Sequence, residues 1–134
     1  MNEGSAGYTI SDIADIVEPK WFVGFMNADT AKALLNRRPV GSFLLRFSSA
    51  PPNFALSVNY GSVGHWRITV EQSSQMVVYR IDGRPYKSLY DIVETHSAGN
   101  EALQIKSNNG ASILCYLSNP VDKFTEKLPD QEYE

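Results

Sequence analysis

A single arginine, Arg46, lies in the middle of the apolar run Phe43–Phe47. The run predicts a buried strand, and because side chains alternate along a strand, Arg46 shares a face with Ser48. A buried charge without a partner costs on the order of several kcal/mol, so Arg46 requires a bound anion, an internal carboxylate or contact with water. The run alone does not choose among these three.

The residues that accompany this arginine favour the anion. Ser48 and Ser49 follow the strand and supply hydroxyl groups and successive backbone N–H groups. Further along, His65 and Arg67 are two positions apart, so they share one face of another predicted strand, with Trp66 on the other face. Guanidinium, hydroxyl and imidazole groups together can bind a dianionic phosphate.

The charge of the chain is unevenly distributed. The 134 residues carry a net charge of −3, yet residues 31–90 hold eight Lys or Arg against two Asp or Glu. Residues 1–30 and 120–134 are both acidic. A basic middle between acidic flanks indicates a localised anion site rather than a long nucleic-acid footprint, although a chance distribution of surface charge explains it equally well.

Three segments have the start and stop signals of helices. Ser11 predicts the start of a short helix that Pro19 ends. The segment Asn27–Leu35 combines a favourable N-cap with an apolar stripe at i, i+3 and i+4. Ser88 begins a capping box that opens a third helix, and Gly99 ends it.

Six runs have the composition and length of strands: Phe43–Phe47, Phe54–Tyr60, His65–Glu71, Met76–Ile81, Leu103–Ile105 and Ile113–Leu117. The segment Asp82–Pro85 is predicted to be a turn or an exposed loop. Because sequential strands are joined by short links, we predict an α+β fold, with a central antiparallel β-sheet flanked by two α-helices, one on each face.

The size and composition are typical of one globular domain, with 43% hydrophobic and 20% charged residues. We predict a flank with a short helix at residues 1–20, the domain at 21–118 and an acidic tail at 119–134. No signal peptide or membrane span is expected, since no apolar run approaches 18 residues. The single cysteine, Cys115, precludes an intramolecular disulfide and disfavours a zinc site, so no metal or other cofactor is expected.

Six segments, in this order, resemble an SH2 domain: Trp21-Phe22-x-Gly24, the helix Asn27–Leu35, Gly41–Ser48, Phe54–Val58, His65–Arg67 and the helix opening Ser88–Val93. The similarity runs from Trp21 to about Gly99. It implies an SH2-like fold and a module that binds phosphotyrosine peptides. The motifs do not assign a subfamily.

The resemblance also implies the residues that bind the phosphotyrosine: Arg46, Ser48, Ser49, Ala55, His65 and Arg67. Arg46 matches the phosphate-binding arginine of the family's second strand, and His65 matches the histidine of its fourth strand. One departure is Ala28, because many family members carry a basic residue against the phosphate at that position.

Seven further residues are expected to contact the peptide beyond the phosphotyrosine: Trp66, Arg80, Ile81, Asp82, Gly83, Arg84 and Ser97. Trp66 falls where the family places such a contact. Because Arg80, Arg84 and Lys87 are basic, we expect acidic residues just downstream of the phosphotyrosine to be preferred.

The function implied by the resemblance is that of a non-catalytic interaction module in signal transduction, with no catalytic residue. Its expected partners are tyrosine-phosphorylated proteins or peptides, and no nucleic acid. We expect a monomer that acts in the cytoplasm, or in a host cytoplasm if the protein is an effector.

Two alternatives concern catalysis and loss of binding. A hydrolase would draw on His65, His96 and Cys115, but no nucleophile elbow, P-loop or metal-ligand spacing accompanies them. A degenerate SH2 domain that serves only as a scaffold is opposed by Arg46 but is consistent with Ala28.

A third alternative is a single-strand nucleic-acid binder that stacks bases on Tyr60, Trp66 and Tyr79. The negative net charge and the absence of a basic-aromatic RNA-binding motif oppose it. In the tail, Tyr133 has the acidic surroundings that many tyrosine kinases accept, and a solvated acidic tail is the simpler interpretation.

Overall fold

The computed structural model describes residues 19–72, 74–106 and 110–124. In these ranges the elements are α1 (Ala28–Asn36), α2 (Leu89–Thr95), β1 (Ser42–Phe47), β2 (Phe54–Asn59), β3 (Val63–Gln72), β4 (Val77–Ile81), β5 (Arg84–Tyr86), β6 (Leu103–Lys106), β7 (Ser112–Cys115) and β8 (Asn119–Pro120). The helix predicted before Pro19 and the tail tyrosine Tyr133 lie outside the described residues.

The central sheet has six strands in the order β5-β4-β3-β2-β1-β8, and β6 pairs with β7 in a separate two-stranded sheet. Strands β1 to β5 form antiparallel pairs with their neighbours, whereas β8 runs parallel to β1. This arrangement confirms the predicted α+β fold with a central, mainly antiparallel sheet and two helices.

Both helices begin at the predicted caps. The Asn27 side chain accepts a hydrogen bond from the backbone N–H of Thr30 at 2.8 Å. The Ser88 hydroxyl accepts from the N–H of Asp91 at 2.9 Å, and the Asp91 carboxylate accepts in return from the N–H of Lys87 at 2.9 Å. This pair resembles a capping box, with aspartate in place of glutamate and with the return bond made by the residue before the N-cap.

Apolar side chains on the two faces of the sheet form two separate clusters. The cluster on the α1 side contains Val23, Met26, Ala31, Leu34, Leu35, Leu44 and Val121. The larger cluster, which packs against α2, includes Phe22, Phe43, Leu45, Phe54, Leu56, Ile68, Leu89 and Ile92. Neighbouring residues of β1 therefore belong to different clusters, as strand alternation predicts.

The segment after β4 differs from the prediction. Asp82 and Gly83 form the expected turn, with φ values of 50° and 85°. Arg84 and Pro85 are not part of a loop, because they pair with β4 as the short edge strand β5. A two-residue Asp-Gly turn suits a tight hairpin, and an edge strand tolerates proline because the missing N–H faces away from the sheet.

The sheet also extends past residue 118, where the domain was predicted to end. Asn119 and Pro120 pair with Ser42 and Phe43 of β1, and Val121 is buried in the cluster on the α1 side. The start of the predicted acidic tail is therefore part of the fold.

Candidate functional site

Arg46 lies on the α1 face of the sheet and is only 6% exposed. In the strand register, Arg46 of β1 is opposite Ala55 of β2, which is opposite Arg67 of β3. The next row on the same face places Ser57 opposite His65. Four of the residues predicted to bind phosphate or line its pocket thus occupy adjacent positions on three neighbouring strands.

Three protein groups hold the Arg46 guanidinium. Its Nε donates to the Ser57 hydroxyl at 3.1 Å, and Nη1 donates to the Met26 carbonyl at 3.2 Å. Nη2 lies 3.4 Å from Nδ1 of His65. A guanidinium has five N–H donors, so one donor on each terminal nitrogen is left without a partner among the described residues.

The same network fixes the tautomer of His65. Its Nδ1 lies 2.8 Å from the Ser57 hydroxyl as well as close to Arg46 Nη2, which can only donate. Nδ1 must therefore be an acceptor, and the proton of the neutral ring sits on Nε2. Burial and the charges of Arg46 and Lys32 lower the pKa of His65, while Asp29 acts in the opposite direction.

The Arg46 charge has no carboxylate partner in the described part of the chain, where ion pairs join only other residues. Burial lowers the pKa of the Arg46 guanidinium, although arginine keeps its charge in proteins. The internal-pair alternative for Arg46 therefore finds no support among these residues. A buried cation held only by neutral groups can attract an anion strongly.

Ser48 and Ser49 lie at the end of β1, in the loop that leads to β2. The Ser48 hydroxyl accepts from the N–H of Ala50 at 3.1 Å, and the Ser48 N–H donates to the Asn53 carbonyl at 3.1 Å. These bonds close the loop on itself beside the Arg46 strand. Ser49 is exposed at the tip of this loop. The side chains of His65 and Arg67 on β3 are also exposed.

A groove of about 960 Å³ opens on the other side of β3. Its walls come from β3, from the β4–β5 hairpin, from the residues after α2 and from the β6–β7 hairpin; they include Tyr60, Gly64, His65, Trp66, Ile81, Asp82, Arg84, Tyr86, His96, Glu101, Leu103, Ile105, Leu114 and Tyr116. His65 belongs to this lining and also contacts Arg46. The groove and the Arg46 pocket therefore meet at one side chain.

Four of the seven residues predicted to contact the peptide line this groove: Trp66, Ile81, Asp82 and Arg84. The other three, Arg80, Gly83 and Ser97, do not. The Ser97 hydroxyl instead donates to the Glu94 carbonyl at 2.7 Å and so caps the end of α2. Trp66 packs edge to face with Tyr60, at 6.2 Å between ring centroids.

The arginines expected to attract acidic peptides already have carboxylate partners. Arg80 donates to Glu71 at 3.0 Å and to the Gly83 carbonyl at 3.0 Å. Arg84 makes a two-pronged pair with Glu101, at 2.5 and 3.2 Å, which links β5 to the segment after α2. These bonds raise the pKa of Arg84 and lower that of the Glu101 carboxyl.

Comparison with known proteins decides the family. A family model of the SH2 domain matches residues 21–96, which is more than half of the chain. The chain belongs to the SH2 domain family. SH2 domains are non-catalytic binding modules of signalling proteins, which supports a phosphotyrosine-binding role.

Two curated relatives resemble the chain over part of their own length. The chain is 34% identical to dual specificity protein kinase shkC of Dictyostelium discoideum, over 91% of this chain and 26% of the kinase. It is 30% identical to protein vav-1 of Caenorhabditis elegans, over 64% of this chain and 8% of that protein. The chain therefore spans about a quarter of the kinase and less than a tenth of vav-1.

The fold is also similar to that of a solved SH2 domain. The match to the solution NMR structure of the Monosiga brevicollis CRK/CRKL homolog SH2 domain covers 85% of this chain and 99% of the chain in that structure. The TM-score is 0.61 and the sequence identity is 23%. This likeness supports the fold.

Several groups of this SH2 domain that shape the two cavities were not predicted. Ser57 and the Met26 carbonyl hold Arg46, but a serine within an apolar strand and a backbone carbonyl carry no distinctive sequence pattern. Tyr86 and Glu101 in the groove were also missed. The alternation of β2 was an available signal for Ser57, since it places Ser57 on the same face as Ala55.

His96, one of the residues that the hydrolase alternative would need, is instead a packed residue that also caps α2. It is the C-cap of α2 and is 3% exposed. Its Nε2 lies 2.6 Å from the Tyr86 hydroxyl, and its Nδ1 lies 2.9 Å from the Glu101 carbonyl. Since a carbonyl can only accept, Nδ1 carries the proton and Nε2 accepts from Tyr86.

Among the described residues, no group of three or more His, Cys, Asp or Glu side chains could hold a metal ion. None of the described helices is long and apolar enough to cross a membrane.

Proposed function

We propose that this SH2 domain binds tyrosine-phosphorylated peptides through Arg46, assisted by the Ser48–Ser49 loop, His65 and Arg67. The observation that carries the proposal is the state of Arg46. Its guanidinium is buried, is held by neutral groups and keeps one N–H donor on each terminal nitrogen without a partner among the described residues. Two such donors suit two oxygens of one phosphate.

The other groups complete a cradle around the phosphate. Ser48 and Ser49 present hydroxyl and backbone N–H groups at the end of the Arg46 strand. Arg67 lies two strands away in the same row, with the small side chain of Ala55 between them, which leaves room for a ring above the sheet. His65 presents its Nε2–H group on the side of its imidazole ring that faces away from Arg46.

The peptide would continue from this pocket into the groove. His65 borders both cavities, so a chain whose phosphotyrosine reaches Arg46 can place its following residues beside Trp66. Because Arg80 and Arg84 are paired with carboxylates and Lys87 does not line the groove, we replace the expected acidic preference with a preference for apolar residues in the groove. Tyr60, Trp66 and Leu114 supply apolar surface for them.

The broader role that we propose is signalling through protein interactions. The partners would be tyrosine-phosphorylated proteins, and the domain would act as a monomer in the cytoplasm, or in a host cytoplasm if it is an effector. Membership of the SH2 family supports the proposal that the partners are tyrosine-phosphorylated proteins. The longer proteins that share the domain, a kinase and vav-1, are consistent with a module that recruits other activities.

The test uses one peptide synthesised with phosphotyrosine, phosphoserine, phosphothreonine or unmodified tyrosine at the same position. Arg46 is buried, and a phenol ring carries a phosphate deeper than the shorter side chains do. Ring contacts with His65 and Arg67 add roughly 0.5–2 kcal/mol. We expect calorimetry to favour phosphotyrosine by at least about two orders of magnitude in Kd, nearly 3 kcal/mol.

Comparable affinities for the three phosphorylated peptides would contradict the proposal, because they would make Arg46 a shallow, generic anion site. Equal binding of the unmodified peptide would remove the role of phosphate altogether.

A further inference from the structure

We propose that Lys32 of α1 is a second cation of the phosphate pocket and binds the phosphate from the helix side. This inference rests on the proposed function and adds a residue to the site. It follows from the level of Lys32 along the sheet and from the side of the helix on which it lies, and the influence of its charge on His65 supports it.

The level of Lys32 follows from contacts at the two ends of α1. Before the helix, the Met26 carbonyl accepts from Arg46, which is opposite Ala55 on β2. At the other end, Asn59 of β2 donates to the Leu35 carbonyl at 2.9 Å. The helix therefore runs along β2, from the level of the Arg46 row towards the end of that strand.

Distances along the two elements then align Lys32 with the pocket. Lys32 is four residues past the start of α1, about 6 Å along the helix axis. Ser57 is two residues past Ala55, about 7 Å along β2. Lys32 is thus level with the row in which Ser57 faces His65.

The side of the helix is also defined. Ala31, Leu34 and Leu35 form the face of α1 buried against the sheet. Lys32 and Ala28 are four residues apart, about 40° around the axis, and both lie on one flank of that buried face. We place this flank on the β3 side because α1 packs against β3 as well as β2, and because the charges of Lys32 and Asp29 both act on the pKa of His65 of β3.

The chemistry suits a phosphate oxygen that Arg46 leaves unbound. Arg46 is a rigid fork at the floor of the pocket, whereas a lysine is a point charge on a flexible stem that reaches from the rim. Lys32 is exposed, and no ion pair of the described ranges includes it. Its nearest acidic neighbour on the helix, Asp29, is likewise exposed.

The experiment compares Lys32→Gln with Arg37→Gln, which removes an exposed charge from the end of the same helix. Calorimetry with the phosphotyrosine peptide should show Lys32→Gln weakening binding about tenfold, as for the loss of one charge-assisted hydrogen bond. Arg37→Gln should change Kd less than about twofold. The affinity of Lys32→Gln should also fall less steeply with salt than that of the wild type.

A rescue variant makes the assignment specific. Ala28 lies on the same flank one turn nearer to Arg46, so Ala28→Lys in the Lys32→Gln background should restore most of the affinity. Without ligand, NMR titration should show a higher His65 pKa in Lys32→Gln, because a positive neighbour is removed, and no change in Arg37→Gln.

The outcomes separate this inference from the proposed function. If Arg46→Ala abolishes phosphopeptide binding while Lys32→Gln binds like the wild type, the function stands and the role of Lys32 is overturned. If the wild type does not distinguish the phosphorylated from the unmodified peptide, the proposed function itself fails. Equal weakening by Lys32→Gln and Arg37→Gln would reduce Lys32 to a general surface charge.

Discussion

On the α1 face of the central sheet, polar groups of Arg46, Ser57 and His65 are in contact, and the side chains of Arg46 and Ser57 are buried. On the α2 face, the same three strands contribute Phe43, Leu45, Leu56 and Ile68 to an apolar cluster, and these four side chains are fully buried. Both faces carry a helix, but among the described residues the buried charged side chain is that of Arg46, on the α1 face.

One sheet can therefore place a proposed binding group and the apolar core on opposite faces. Alternation sends adjacent residues of β1 to opposite faces, so Leu45 and Arg46 have different surroundings although they are neighbours in the chain. Leu45 is buried among apolar side chains, where it removes surface from water. Arg46 loses hydration without gaining a carboxylate among the described residues, so we expect it to contribute to binding rather than to folding.

The largest effect is expected from Arg46→Ala. Loss of the guanidinium removes both phosphate-binding donors, and binding of the phosphotyrosine peptide should weaken by about 2–5 kcal/mol. Arg46→Lys should lose most of the affinity too, because a point charge cannot replace the fork. Calorimetry gives the affinity, and urea unfolding should show stability equal to or above that of the wild type.

Retained binding by a folded Arg46→Ala protein would remove the central residue from the proposed site. A large loss of stability would instead show that the guanidinium supports the fold, and the contrast between the two faces would disappear.

The neighbouring substitution, Leu45→Ala, tests the other half of the comparison. It leaves a cavity among Phe22, Phe43 and Leu56, so the free energy of unfolding should fall by about 2–5 kcal/mol. The fraction that stays folded should bind the peptide with the affinity of the wild type. Urea unfolding measures the free energy of unfolding, and calorimetry at low temperature measures the affinity for the peptide. A loss of affinity in the folded fraction would mean that the α2 face supports the pocket.

The contrast between the two faces could be predicted from the sequence, because it depends only on the period of a strand. The position of Arg46, its face and the opposite orientation of Trp66 all follow from that period. The partners of Arg46 could not be predicted in the same way. Ser57 and the Met26 carbonyl meet it through the register of β1 with β2 and the docking of α1, which depend on contacts distant in the sequence.

The groove was harder to predict for the same reason. Arg84 was expected to attract acidic peptides, but its partner Glu101 is 17 residues further along the chain. Nothing near Arg84 in the sequence indicates that pair. Strand β5 was missed because Pro85 resembles a loop residue, and only its place at the sheet edge makes it acceptable in a strand.

A third prediction concerns pH and the α2 face. Burial lowers the pKa of His96, and its Nε2 must stay unprotonated to accept from Tyr86. As the pH falls below about 6.5, the unfolded chain therefore takes up a proton before the folded one does, and the free energy of unfolding decreases. Above that pH this contribution is constant, since the ring is neutral in both states.

The two histidines of the chain allow the faces to be compared directly. Between pH 7.5 and 5.5, urea unfolding of His96→Gln should show a smaller loss of stability than the wild type. His65→Gln should retain most of the loss, because His65 is exposed and His96 is 3% exposed. If His65→Gln suppresses the loss instead, the pH-sensitive group lies in the phosphate pocket.

The smallest expected effect is a change in peptide preference when Arg84 is released from its partner. It follows from a comparison of Arg84 with Arg46. Arg84 lines the groove but shares its charge with Glu101, whereas Arg46 has no carboxylate partner in the described residues. In Glu101→Gln the Arg84 charge is released into the groove. Peptides with an acidic residue after the phosphotyrosine should then gain about threefold in affinity over their apolar counterparts. The gain should shrink with added salt, since Arg84 is exposed.

The matched control is Glu71→Gln, which releases Arg80 in the same way. Because Arg80 does not line the groove, its release should leave the peptide preference unchanged, although both variants change the net charge equally. A peptide library screened against the two variants separates a local effect from a general one.

An equal gain in affinity for acidic peptides in both variants would mean that the overall charge, and not the pairing of Arg84, sets the preference. An acidic preference in the wild type that Glu101→Gln leaves unchanged would mean that the pair opens when the peptide binds. The groove would then resemble the Arg46 pocket in offering an available cation, and the contrast between the two cavities would be limited to the unbound protein.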